Sequence, residues 1–487
     1  MIELSFAQKE NIGFQYVLEA LRPCSPYGQE LVRELKPLTP AQKPELLRRL
    51  CNIQRVLDRE TVCSSDLKSL LRVLMSLKMV RATAEKCLQT TLDEIELFEL
   101  KRFLLRCFEL HPYWQNVAPV LQLEGIEIAD TTAALDILDP EHNRVAAFFL
   151  PDSLSPVLCA ARKEKRRLEA LLQTAVGQER ESLLARRSQF ASEEAREEAR
   201  IREALCLDLR PFIPAILQNM RAIGDLDLTV EKAHLARRWG GIMPAFTENR
   251  VEMEQMVNPR FRDLLLDRNR HFTPISIHLS QGATVITGAN MGGKSVALKT
   301  LTLNILLIHC GLFPFAQKAA TPLFDSIHIL SEDLENVDRG LSSFGGEMVR
   351  FNQVVRQLEE GFAFLVLDEF ARGTNPDEGA AIVQAVTEYL NRANAIAVLA
   401  THYDHVARFA GAHYQVIGLR DMDAQQLQRD IAGLSGADSM AHISRYMNYG
   451  LYRVENDRDC PRDALNICRL LGMDPEILKM IEKNYIR

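Results

Sequence analysis

Gly288-Ala289-Asn290-Met291-Gly292-Gly293-Lys294-Ser295 decides how this chain is read. The octapeptide fits the phosphate-binding loop pattern G-x-x-x-x-G-K-[ST]. A β-branched stretch, Ala283-Thr284-Val285-Ile286-Thr287, runs into it, and a periodic apolar segment beginning at Val296 and Leu298 leaves it. Strand, loop and helix in that order are what phosphate binding needs. Glycine lets the backbone close around a phosphate chain without Cβ clashes. The loop N–H groups and the helix N-terminus then face the anion. Lys294 is placed to reach the outer phosphates, and the Ser295 hydroxyl to ligate Mg²⁺.

Two further apolar runs extend the pattern. Phe362-Ala363-Phe364-Leu365-Val366-Leu367 reads as a strand buried on both faces. It ends in Asp368-Glu369, where ligands bind in an open parallel sheet. Asp368 is the Mg²⁺ partner expected for Ser295. Glu369 is placed to orient and polarise an attacking water. A third strand, Ala395-Ile396-Ala397-Val398-Leu399-Ala400, ends in Thr401-His402. His402 is read as a sensor of the γ-phosphate, against the alternative of a structural strand-end histidine.

Composition bounds the rest. The 487 residues suffice for two or three domains. A net charge of −7 gives no global basicity that would advertise nucleic acid. The 10 cysteines are scattered, without a C-x-x-C pair or Cys/His ligand spacing, and read as reduced thiols. The first residues lack the cationic start and apolar core of a signal peptide. Leu303 to Ala316, the most apolar region, is broken by His309, Gly311 and Pro314 and is too short to span a bilayer. A cytoplasmic protein without a membrane segment is expected.

Along the chain, residues 10–115 read as helical, with Phe14, Val17, Leu18 and Leu21 at the spacing of a buried stripe. Pro23, Pro26 and Gly28 read as a break. From Val120 to Val157 the pattern suggests short β-like pieces, among them Ile137-Leu138-Asp139-Pro140 and Ala146-Ala147-Phe148-Phe149-Leu150. Leu158 to Arg238 has the Leu, Ala, Glu, Arg and Lys content of long helices. A basic run there, Arg162, Lys163, Lys165, Arg166 and Arg167, is read as a solvated helix face. Glu193, Glu194, Glu197 and Glu198 would interrupt any extended cationic track. Residues 270–430 alternate strands and helices, so the fold class expected is an α/β P-loop NTPase domain with a doubly wound, mostly parallel sheet, preceded by a helical region.

These residues carry a resemblance. Thr287 through Ser295, with Asn-Met-Gly-Gly-Lys-Ser, resembles the MutS family ATPase signature. Leu367-Asp368-Glu369-Phe370-Ala371-Arg372-Gly373-Thr374-Asn375 resembles that family's Asp-Glu and Arg-Gly-Thr loop, and Ala400-Thr401-His402-Tyr403 its Thr-His-Tyr switch. Leu341-Ser342-Ser343-Phe344-Gly345-Gly346-Glu347-Met348 is similar to the stretch whose serine reaches the partner subunit's nucleotide, so the resemblance gives Ser342 that role. Phe272-Thr273-Pro274 lies where the family places an aromatic that stacks on adenine, which makes Phe272 the stacking candidate, a core residue being the alternative. Asp463 to Met480 resembles the family's helical dimer-closing element, with Asp474 capping a helix that begins at Pro475.

The resemblance implies ATP and Mg²⁺ as ligands, ATP hydrolysis to ADP and phosphate, and a dimer with itself or a MutS-like sister subunit. It divides the chain into a helical core region (1–118), a connector with long lever helices (119–240), the ATPase domain (241–435) and a helical dimerisation element (436–487). The sequence also departs from the family. Gly13-Phe14-Gln15-Tyr16 lacks the acid of the mismatch wedge, and no stretch resembles the nuclease-like domain of the second MutS branch. DNA binding of the mismatch-repair or recombination type is the leading expectation, and weak, non-specific binding at that. The alternatives are a protein-remodelling motor, similar to reactivation factors that clamp an adenosylcobalamin-dependent lysine aminomutase, or a structural clamp with negligible turnover.

Overall fold

The computed structural model describes residues 2–147, 149–288, 293–331, 343–403, 405–418, 448–455 and 473–485. The chain forms two compact units, each discontinuous in sequence. One comprises Met1–Leu21, Leu35–Gln54 and Lys232–Arg487, the other Arg22–Glu34 and Arg55–Glu231.

The first unit holds all ten described strands. These are β1 (Ala245–Phe246), β2 (Arg250–Met256), β3 (Ile275–Ser280), β4 (Gly282–Thr287), β5 (Lys318–Thr321), β6 (Ser326–Leu330), β7 (Ala363–Asp368), β8 (Ala395–Ala400), β9 (Ala412–Gly418) and β10 (Asn448–Arg453). A six-stranded sheet has the order β10-β9-β4-β8-β7-β6. Its pairs are parallel except β10 with β9. A four-stranded sheet, β1-β5-β2-β3, is mostly antiparallel.

β4 and β8 are buried at every residue, and β7 at all but Asp368. Strands so thoroughly apolar need cover on both faces. Val285, Leu365, Leu367, Ala397 and Leu399 pack on one face against helices Ser343–Leu358 and Pro376–Leu390. Helix Lys294–His309 packs against β7 and β8. It is buried at every residue from Thr300 to His309, so it keeps no solvent-facing stripe there. Its last residue, His309, is buried, and burial lowers its pKa to about 4, so it packs as neutral imidazole beside the Leu38 carbonyl at 2.8 Å.

Every regular element of the second unit among its described residues is a helix. Leu67, Leu70 and Leu74 of helix Ser64–Leu74 and Leu97, Leu100 and Leu104 of helix Glu94–Leu121 are buried at i, i+3 and i+7 spacing. Two expectations are corrected here. Ile137 and Leu138 belong to helix Thr132–Leu138, not to a β-like piece. Its buried Ala134, Leu135 and Leu138 recur at helical spacing, a pattern that seven residues show too briefly to tell from a strand. The break after the stripe of Phe14 to Leu21 is present, between helices Phe14–Ala20 and Pro26–Arg33, but Pro26 and Gly28 already belong to the second helix. Ser25 caps it by accepting from the Gly28 N–H at 3.0 Å, and its own hydroxyl donates to buried Asp227 at 2.6 Å. A Cβ on Gly28 would lie 2.6 Å from that carboxylate, which is why glycine stands there.

A buried ion pair ties two parts of this unit. Lys101 Nζ lies 3.0 Å from Asp139 Oδ1, with side chains 8% and 3% exposed. Burial alone would raise the Asp139 pKa. Donation from the Arg144 N–H and from Lys101, with their charges, outweighs it and holds the group below the usual range. Asp139→Ala strands the Lys101 ammonium, and an unpaired buried charge costs about 3 kcal/mol. A urea titration of the full chain should show that loss in the transition of this unit. Because the folded pKa is depressed, the stabilisation from Asp139 is present above the unfolded carboxylate pKa and disappears as pH falls through the folded value.

Two cations of the basic run of helix Pro156–Leu172 are paired within the unit. Arg162 donates to Glu194 at 3.1 Å, Glu198 at 2.8 Å and Asp152 at 2.8 Å. Lys165 also pairs with Glu194. Arg166 and Arg167 keep mostly exposed side chains, 71% each. At the other end of the chain, Asp474 accepts from the Glu476 N–H at 2.8 Å and caps helix Pro475–Tyr485. No helix among the described residues is long and apolar enough to cross a membrane.

Candidate functional site

The sheet order brings the candidate residues together. β8 lies between β4 and β7, all three parallel, so the loop after β4 and the carboxylates after β7 leave the same edge. Asp368 stands in register with Ala400, two residues before His402. Of the eight loop residues, Gly288, Gly293, Lys294 and Ser295 are described; Ala289, Asn290, Met291 and Gly292 lie outside the described residues, as does Ser342.

Gly288 and Gly293 have φ of 141° and 90°, which side chains rarely adopt. Gly293 precedes the helix that starts at Lys294. Lys294 is 4% exposed, and its Nζ donates to the Gly288 carbonyl at 2.7 Å across the loop. Ser295 Oγ donates to Asp368 Oδ1 at 3.0 Å. Burial pushes the Asp368 carboxyl up, and the Ser295 hydroxyl offsets only part of that.

Glu369 follows in the left-handed region, with φ 53°, and its N–H donates to the Ala400 carbonyl at 3.0 Å. Its Oε2 accepts from Arg372 Nη1 at 2.6 Å. Ala371 is also left-handed, φ 60°. Two such non-glycine residues cost on the order of 1 kcal/mol each and persist only where neighbours fix them. Here the Ala371 N–H donates to Glu347 Oε2 at 3.0 Å, and the Tyr403 hydroxyl donates to the Ala371 carbonyl at 2.8 Å. Gly379 makes room for that hydroxyl, since a Cβ there would meet it at 2.2 Å. His402 is exposed beyond β8, its ring centroid 4.5 Å from that of Tyr403.

A cavity of about 500 Å³ adjoins these groups. Lys294, Ser295 and Glu369 line one part, and Phe261, Leu265, Phe272 and Tyr449 contribute an apolar part. Phe272 is half-buried in this wall, not enclosed in the core. Sequence reading did not single out Glu347, Tyr403 or Tyr449 as site residues. Glu347 and Tyr403 stood inside quoted motifs, but nothing in the motifs says that both act on the Ala371 peptide. For Tyr449 no sequence signal existed.

Residues 284–466 match the family model described as MutS domain V. The protein named Endonuclease MutS2 from Thermomicrobium roseum is 31% identical over 271 residues, covering 52% of this chain and 33% of that protein. The protein of the same name from Levilactobacillus brevis is 30% identical over 240 residues, covering 48% of this chain and 30% of its own. Over that region the chain is similar to the MutS family. The match spans about a third of the length of these MutS2 relatives.

Proposed function

We propose that this chain is a P-loop ATPase of MutS type, splitting ATP to ADP and phosphate with Mg²⁺. The observation that carries the reading is the Ser295 Oγ to Asp368 Oδ1 contact of 3.0 Å, beside buried Lys294. A hydroxyl and a carboxylate are hard oxygen donors, which fit an ion that keeps several waters and takes its remaining ligands from phosphates. When bound there, Mg²⁺ would neutralise charge on the triphosphate. Lys294 binds the outer phosphates as a fixed cation. Glu369 holds the attacking water in line and accepts its proton, and Glu347 and Tyr403 keep the Glu369–Arg372 turn in place. His402 reports the γ-phosphate, Phe272 stacks on the base, and Ser342 completes a partner's site in a dimer. Phosphate release that needs Mg²⁺ and stops on chelation tests this reading; release that is indifferent to EDTA overturns it.

The larger activity is proposed on the family likeness: an ATP-driven dimeric clamp acting on DNA. Because Arg162 and Lys165 are taken up by Glu194 and Glu198, the run offers phosphates only Lys163, Arg166 and Arg167. Binding to duplex DNA is therefore expected to be salt-sensitive, with little mismatch preference, and on the order of micromolar or weaker at physiological salt. Titrating matched and mismatched duplexes at two salt concentrations checks this. The same neutralisation favours, as a second reading, a clamp on a protein partner such as a mutase. No binding to either duplex at low salt would put that reading first.

A further inference from the structure

A second, much smaller cavity lies at the Asp368 carboxylate. It measures about 10 Å³, close to the room that one water needs. Asp368 lines this cavity and not the larger one beside Lys294. Its other polar lining comes from Lys299 and Thr302 of helix Lys294–His309, Ser331 after β6, and Gln8 and Asn11 of helix Phe6–Asn11. The N-terminal segment, far from the phosphate loop in sequence, thus reaches the residue that bonds Ser295.

Local bonds fix Asn11 at this place. Ser5 Oγ accepts from the Gln8 N–H at 3.1 Å, and Gln8 Oε1 accepts from the Ser5 N–H at 2.9 Å, a reciprocal cap. Gln8 Nε2 donates to the Ile329 carbonyl at 3.0 Å and ties the helix to β6. Just after Asn11, the Ile12 carbonyl accepts from Asn258 Nδ2 at 3.0 Å. Gly13 then turns the chain with φ 87°, where a Cβ would meet Asn258 Oδ1 at 2.9 Å. Asn11 is therefore held on both sides along the chain.

Two groups at the cavity keep hydrogen-bonding capacity. Asp368 accepts from Ser295 at Oδ1, and Oδ2 engages none of the described residues. No described residue hydrogen-bonds the Asn11 side chain. A polar cavity of this size suits a water with two to four partners. A carboxamide can both donate to that water and accept from it, while a carboxylate oxygen accepts.

We propose that Asn11 is a positioning residue for the Mg²⁺ ligand Asp368, steadying its carboxylate through one water in this cavity. The proposal rests on the ATPase reading above and adds the N-terminal segment to it. A bond to Oδ2 limits rotation of the carboxylate, so Oδ1 stays turned toward Ser295. Outer hydrogen bonds of this kind strengthen the binding of a metal by the ligand that they orient.

The test measures ATP binding to the full chain by calorimetry, with Mg²⁺ and in EDTA, for the parent, Asn11→Leu and Asn11→Ser. Leucine keeps the branching of asparagine and fills the cavity without a polar group; serine keeps a hydroxyl and leaves room for the water. Asn11→Leu should weaken Mg²⁺-ATP binding about tenfold. Its binding of metal-free ATP should match the parent, which also shows that the variant is folded. In turnover, the Mg²⁺ concentration for half-maximal rate should rise by a similar factor, with kcat at saturating Mg²⁺ unchanged. Asn11→Ser should behave as the parent does. If leucine proves too large for the fold, Asn11→Ala is read by the same criteria. Parent-like Mg²⁺-ATP binding by Asn11→Leu overturns the proposal. So does an equal loss with and without Mg²⁺, which would make Asn11 a packing residue alone. A parent chain that binds ATP no better with Mg²⁺ than without overturns the Mg²⁺ reading of Ser295 and Asp368 itself, and this one with it.

Discussion

Glu369→Gln should bind ATP as the parent chain does and turn it over at least ~10²-fold more slowly. Glutamine keeps the shape and the left-handed φ of 53° that the turn imposes, but cannot accept the proton of the attacking water. The Arg372 contact to Glu369 Oε2 at 2.6 Å loses its charge in this variant. Arg372 is 50% exposed, so that pair contributes little to stability, about 1 kcal/mol or less. The thermal transition should therefore move little while the rate collapses. Single-turnover phosphate release, with nucleotide binding measured alongside, separates the two effects. Parent-like turnover in Glu369→Gln would remove Glu369 from the chemistry and with it the assignment of the turn after β7 as the water-positioning element.

Lys294→Ala should lose about 10²-fold in affinity for Mg²⁺-ATP, the scale of a charged hydrogen bond to a phosphate in a desolvated site. Nζ already sits at 2.7 Å from the Gly288 carbonyl, so the cation is held at the loop by the fold. Lys294 as a whole is 4% exposed, and water cannot simply replace its ammonium. Lys294→Met, which keeps the stem and drops the charge, should show the same loss, so that packing and charge are told apart. Competition against a fluorescent ATP analogue reads both variants. Affinity retained in Lys294→Met would mean that the loop amides alone carry the phosphates.

Much of the glycine-loop end of the candidate site is legible in the residues alone. The run of six buried residues in β4, the glycines around Lys294 and the acidic pair after Leu367 each follow from local rules. An enclosed parallel strand reads as unbroken apolar sequence, and a chain reversal around an anion reads as glycine. The strand limits agree to within a residue: 363–368 where Phe362 to Leu367 is expected, and 395–400 as expected. The short segments fail for the converse reason. In Thr132–Leu138 and around Pro26, seven or eight residues hold too few periods for helix and strand, or start and break, to be separated by pattern.

By itself, then, the sequence determined the resemblance to the MutS family, the glycine-rich loop, the acidic pair and the apolar strands, because each is written in neighbouring residues. Only the tertiary structure decided the strand order β4-β8-β7 that sets Asp368 3.0 Å from Ser295 across 73 residues of chain. It likewise decided that Met1–Leu21 and Leu35–Gln54 join the unit of Lys232–Arg487 while Arg22–Glu34 joins the other. Glu347 and Tyr403 meeting at Ala371, and Tyr449 meeting Gly293, belong to the same class. Such contacts depend on how separate elements close on one another. Side-chain burial and strand pairing choose that closure over the whole core at once, and no local pattern of residues encodes it.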